Sequence, residues 1–197
     1  MSKTKFSQRR ENAVPVRRSS WGNRQLRPNA SNQETPEHLA GLPTLEEFGA
    51  FFSSVRGVPT VVAQSSVGPI LDKQPLLGIR FCDAEQKLGC VVLVDLISIN
   101  AIGGSIRRFR TSDIRHKLEM RVIDDETLKA WRYVGHRLAD MVSSTHGPRL
   151  YFDDLTEPMD ILSAPLRSYF ERAHFRMSFT LGLKPFGEGH LGVAMGL

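Results

Sequence analysis

The sequence predicts a mainly β domain, a β-sandwich with a few short helices in its connections, behind a disordered basic N-terminal arm. An α+β sheet is the alternative. Three observations carry this reading. Short runs with period-two or continuous apolar character recur through the second half of the chain. Only a few segments show helical spacing. All of the net charge, and almost no apolar periodicity, lies in the first 42 residues.

Residues 1–42 hold eight bases, Lys3, Lys5, Arg9, Arg10, Arg17, Arg18, Arg24 and Arg27, against Glu11, Glu34 and Glu37. The remaining 18 bases and 18 acids of residues 43–197 cancel, so the formal charge of +5 belongs to the arm. Phe6, Trp21 and Leu26 are isolated there. Too little apolar area is available to offset a backbone ordering cost of about 1–2 kcal/mol per residue, so disorder is expected over 1–42. A flexible, arginine-dense segment suits a polyanion, because each neutralised phosphate releases counterions and the guanidinium fork matches phosphate oxygens. Trp21 adds a surface for stacking on a base. A solubilising tail or a nuclear-localisation signal built on Arg9-Arg10 and Arg17-Arg18 is the plainer use of the same residues.

The domain is expected over 43–197. After Pro43, Thr44 and Glu47 have the spacing of a capping box, and Leu45, Phe48, Phe51, Phe52 and Val55 form one apolar face. Gly57 and Pro59 end that helix. Thr60 to Gln64 is β-branched, Leu77 to Phe81 alternates, and Cys90 to Val94 is continuous enough for a strand buried on both faces. Gly103-Gly104 marks a turn. His116 to Val122 is expected as a strand with Leu118, Met120 and Val122 on one face and Lys117, Glu119 and Arg121 on the other, and Ile106 to Arg110 is its neighbour if the two pair. Asp125 is expected to cap a helix carrying Leu128, Trp131, Leu138 and Met141, weakened by Gly135. Ser163 is expected to cap a shorter one, with Pro165 in its first turn and Leu166, Tyr169 and Phe170 inward. Phe175 to Leu183 alternates most cleanly, predicting Phe175, Met177, Phe179, Leu181 and Leu183 on the buried face.

Several classes are excluded or given little support. The N-terminus lacks the apolar stretch of a secretory signal, and Val91 to Ile102 is short and interrupted by Asp95 and Asn100, so no membrane contact is expected. No repeat of 20–50 residues is visible. With 41% hydrophobic residues the domain can build a core without disulfides, and Cys82 and Cys90 read as reduced thiols that pack between strands. No G-x-G-x-x-G, G-x-x-x-x-G-K-[ST], H-E-x-x-H or G-x-S-x-G occurs, and the six histidines are scattered. No enzymatic activity and no cofactor are therefore expected. Pairing of Cys82 or Cys90 with a histidine is the nucleophile arrangement left open.

Two charged clusters have alternative uses. Asp153, Asp154, Glu157 and Asp160 form either a solvated loop or a hard-cation or inter-subunit site. Arg107, Arg108, Arg110, Arg115, Lys117 and Arg121 gather around Phe109. They form either an inner surface against nucleic acid or a strand edge protected by charge.

The plan of Lys3 to Arg27, a Pro/Asn/Glu linker and then strands resembles the coat proteins of small positive-strand RNA plant viruses of the ourmiavirus and bromovirus type. That resemblance implies a jelly-roll-like shell domain that assembles in many copies, a virion found in host cytoplasm, and an arm on single-stranded RNA. Arg107, Arg108 and Arg110 would extend the RNA surface. A neutral shell fits this plan, because packed copies of like charge repel. The rival is a non-capsid RNA-binding protein: a silencing suppressor, a movement factor or a ribosome-associated factor.

Overall fold

The computed structural model describes residues 43–65, 70–72, 75–143, 149–156, 158 and 163–196. The chain divides into Met1–Glu37 and His38–Leu197, and every described residue lies in the second unit. The arm, with Lys3, Lys5, Arg9, Arg10, Arg17, Arg18, Trp21, Arg24 and Arg27, lies outside the described residues.

Local chemistry sets the first helix. In α1 (Leu45–Arg56) the Thr44 hydroxyl accepts from the Glu47 amide at 3.2 Å. The Glu47 carboxylate accepts from the Thr44 amide at 2.7 Å, which completes the capping box and holds the Glu47 carboxyl below its ordinary range. Gly57 closes the helix at φ 71°, a left-handed position where glycine has no Cβ to strain. Beyond it come β1 (Val61–Gln64), a single 3-10 turn (Ile70–Asp72), β2 (Leu76–Cys82) and β3 (Leu88–Asp95). The chain continues through α2 (Leu96–Ile106), α3 (Thr111–Met120), α4 (Asp125–Val142), β4 (Tyr151–Leu155), α5 (Ala164–Arg172), β5 (Phe175–Gly182) and β6 (Glu188–Met195).

All six strands join one antiparallel sheet in the order β1-β5-β6-β3-β2-β4. Helices, not a second sheet, cover its faces. One core joins Phe48 and Phe52 of α1, Ile99 and Ile102 of α2, and Trp131 and Leu138 of α4. They pack on Leu77, Ile79, Phe81, Cys90, Val92, Val94, Phe179 and Leu191. A smaller core on the opposite face sets Ile70, Tyr169, Phe170 and Ala173 against Leu76, Val91, Leu93 and Ala194. β3 therefore sends alternate residues into two different cores, which is why its sequence is continuously apolar.

The expected β-sandwich, and the jelly roll implied by resemblance, are thus replaced by an α+β fold. The reason lies in residues 96–120. His116 to Val122, expected as a strand, and Ile106 to Arg110, its conditional neighbour, are helical or loop. Asp95 ends β3 by capping α2, its carboxylate accepting from the Ser98 amide at 2.9 Å, and Gly103-Gly104 lies inside that helix and makes no turn. The alternation of Leu118, Met120 and Val122 is overridden by the four-residue spacing of Ile114 and Leu118, and α3 runs through it. Asp124, one residue before the expected cap, starts α4 by accepting from the Thr127 amide. Phe175 opens β5 exposed rather than inward, whereas Met177, Phe179, Leu181 and Leu183 do pack on the first core. Cys82 and Cys90 are free and buried, and burial pushes the Cys90 thiol well above its ordinary value, so it is no poised nucleophile.

Candidate functional site

The basic segment that follows β3 is where the fold concentrates unusual features. α2 is hydrophobic nearly all round and buried from Ser98 to Gly104. Its diglycine lets two other helices approach. A Cβ on Gly103 would stand 2.7 Å from a Thr127 methyl of α4 and 3.2 Å from the Thr127 carbonyl. A Cβ on Gly104 would stand 2.6 Å from the end of Ile114 in α3. Trp131 of α4 locks the same corner by donating its indole N–H to the Ile99 carbonyl at 2.9 Å. Asn100, 1% exposed, donates to the Leu96 carbonyl at 3.3 Å and across to the Val122 carbonyl at 3.2 Å, which ties the α3–α4 linker to α2.

The electrostatics of this corner separate used from unused cations. Arg107 pairs with Glu126, and Lys129 reaches the same carboxylate at 2.7 Å. Lys117 lies 3.7 Å above the Phe109 ring and 2.5 Å from Asp124. Burial alone would raise the Asp124 pKa, but the bonds from Lys117 and Thr127 outweigh it and hold the group at about 2. Arg108, Arg110 and Arg115 are exposed and form no ion pair among the described residues. Around them Met120 is 61% and Val122 47% exposed, and Asp113 and Glu119 are interspersed. The result is a small mixed patch of arginines, acids and bare apolar side chains.

Of the residues singled out in the sequence, Arg107, Arg108, Arg110, Arg115, Lys117 and Arg121 fall on α3 and its flanking turns, not on strands, and Lys117 lies over Phe109. The exposed apolar pair was missed, because Met120 and Val122 read as one face of a strand. The helical spacing of Ile114 and Leu118 is the signal that would have found it. Of the acidic cluster, Asp153 pairs with Arg80 and Asp154 with Arg132, while Glu157 and Asp160 lie outside the described residues. Among the described residues no three His, Cys, Asp or Glu side chains group as metal ligands, and no helix is long and apolar enough to cross a membrane.

No protein family and no curated protein matches the sequence. Solved structures do match the fold. The FliM middle domain from H. pylori superposes with a TM-score of 0.54 at 9% identity, covering 77% of this chain and 84% of that one. The FliG–FliM complex from H. pylori gives 0.53 at 8%, covering 77% and 85%. The FliM–SpeE complex from H. pylori gives 0.50 at 10%, covering 77% and 80%. At such identities the likeness establishes a shared fold: this is a domain built like the middle domain of a flagellar motor switch protein.

That fold overturns the coat-protein resemblance and what hung on it, namely the many-copy shell, the single-stranded RNA partner and the virion in host cytoplasm. The matched chains are flagellar proteins, two of them solved with a protein partner. The silencing-suppressor, movement-factor and ribosome-associated alternatives have no support in the fold either. The arm and linker drew the resemblance toward viral shells, and disordered basic segments recur on unrelated folds.

Proposed function

We propose that this chain is a protein-docking domain of the flagellar-switch type, which engages a protein partner through the α2–α3–α4 corner. The observation that carries the reading is the exposed surface of α3 and its flanking turns, with Arg108 and Arg110 before the helix, Arg115 on it, and Met120 and Val122 bare at its C-terminal end. Methionine and arginine are enriched at protein interfaces, and arginine among the residues that dominate binding energy. The interspersed Asp113 and Glu119 suit the mixed surface of a protein better than a uniform phosphate backbone. The FliM-type fold supports the same reading, because two of the similar structures are titled as complexes with FliG and with SpeE. In this reading the domain is a binding module and catalyses no bond change.

The test is calorimetric titration of the purified chain with FliG of the source organism. Met120→Asp places a charge in the centre of the contact, and Arg115→Glu reverses one on its rim. The first is expected to weaken binding by at least about tenfold and the second by less, with unfolding midpoints unchanged. No heat of binding from FliG, or full affinity in both variants, would refute the proposal.

A further inference from the structure

α3 is attached through few groups for a helix at the centre of a site: Ile114, the half-buried Leu118, and Lys117 through its bond to Asp124. Of its ten residues one, Ile114, is fully buried, and it sits in the niche that Gly104 leaves open. Helices of this length are marginal unless tertiary packing holds them. Arg110 at its N-cap makes no side-chain capping bond, whereas Thr44, Asp95 and Asp124 do so for α1, α2 and α4. The described residues hold three non-glycine residues at positive φ, and two of them bracket this helix: Arg108 at 57° and Arg121 at 53°. Both ends of α3 are thus turns that L-residues adopt at a cost.

Beside it lies a polar atom that the closed arrangement leaves without a partner. The Asn100 side-chain carbonyl is buried and makes no hydrogen bond. Buried unsatisfied groups of this kind are rare in folded domains and call for an explanation. This one sits at the contact of α2 with the α3–α4 linker, where Asn100 donates its other end to the Val122 carbonyl.

From these features, and resting on the docking reading above, we infer that α3 is a releasable element. A partner grips its outer face and draws it off α2 between the turns at Arg108 and Arg121. The opened surface is the Gly104 side of α2, which Ile114 covers in the closed arrangement, with the Asn100 carbonyl available to the incoming chain. The partner segment that completes it carries a small apolar side chain for the niche vacated by Ile114 and an N–H or O–H donor for Asn100. The two faces of one helix then act with opposite signs. Outer-face changes weaken binding, and loss of the inner anchor strengthens it, because less of the partner's affinity is spent on opening.

Hydrogen exchange of the full chain tests the release without any partner. Amides of Arg115 to Met120 are expected to exchange faster than those of α4, and Ile114→Ala to accelerate them by at least about 30-fold while α4 amides stay unchanged. Acceleration of α3 and α4 together, or wild-type α3 amides as slow as those of α4, would overturn the inference. Titration with FliG supplies the second reading: Ile114→Ala is expected to bind more tightly, by up to the same factor, and equal or weaker binding would overturn the release. If FliG fails to bind the wild-type chain, the docking reading falls, and the exchange data alone decide whether α3 comes away.

Discussion

Gly135 is the residue on which the balance between helix propensity and packing is best tested. It occupies the middle of α4, where alanine is favoured over glycine by about 1 kcal/mol. β4 crosses at this point, and a Cβ on Gly135 would fall 2.4 Å and 2.5 Å from two atoms of the Phe152 ring. That ring is itself confined, edge-on to His136 with centroids 4.6 Å apart and to Phe81 at 6.3 Å. Displacing it is an overpacking change, worth about 1–3 kcal/mol. Gly135→Ala should therefore lose about 1 kcal/mol net, a fall of roughly 2–4 °C in midpoint for a domain of this size. A double-mutant cycle in urea separates the two terms. In a Phe152→Leu background the clash is relieved, and the same Gly135→Ala change should stabilise by up to about 1 kcal/mol. If Gly135→Ala raises stability in the wild-type background, or if its sign is the same in both, close approach of β4 is not why α4 carries a glycine.

Three further outcomes are expected. Asp124 has a folded pKa of about 2 against an ordinary 3.8, so its contribution is present above pH 4 and is lost as pH falls through 2. Because its side chain is 38% exposed, the effect is discounted to about 1 kcal/mol. Asp124→Asn keeps a capping oxygen for Thr127 but should flatten the acid limb of a pH–stability profile between 4 and 2, and an unchanged limb would count against the pair with Lys117. Arg56 is buried, donating to the Thr60 hydroxyl at 2.9 Å and the Lys184 carbonyl at 3.0 Å, and burial holds its pKa below the ordinary arginine value. Arg56→Met should cost about 1–3 kcal/mol in urea unfolding, and Arg56→Lys nearly as much, because a single ammonium nitrogen does not reproduce the positions of the two guanidinium nitrogens that reach Thr60 and Lys184. Removing Met1 to Arg27 should leave the calorimetric midpoint of the remaining chain within about 2 °C of the intact protein, and a larger fall would show that the arm contributes to the fold.

Where one residue's chemistry decides an element, the sequence was legible. Thr44 and Glu47 cap α1, Gly57 ends it, and Cys90 to Val94 forms the doubly buried strand, each as its residues require. Tyr169 and Phe170 of α5 pack inward as their spacing predicts, although Ser163 at its N-cap makes no side-chain bond. What failed was the step from segments to architecture.

What the sequence determined by itself was local: helix starts, strand runs and the placement of charge, because caps and periodicity act over three or four residues. Only tertiary structure decided that Gly103-Gly104 is a helical seam, that Met120 and Val122 face solvent, and that helices rather than a second sheet cover the strands. A diglycine has the same composition in a turn as in a helix, and it becomes a seam when Ile114 and Thr127 arrive to fill the space its missing side chains leave. Those partners lie 10 and 24 residues further along the chain, beyond the reach of any local pattern.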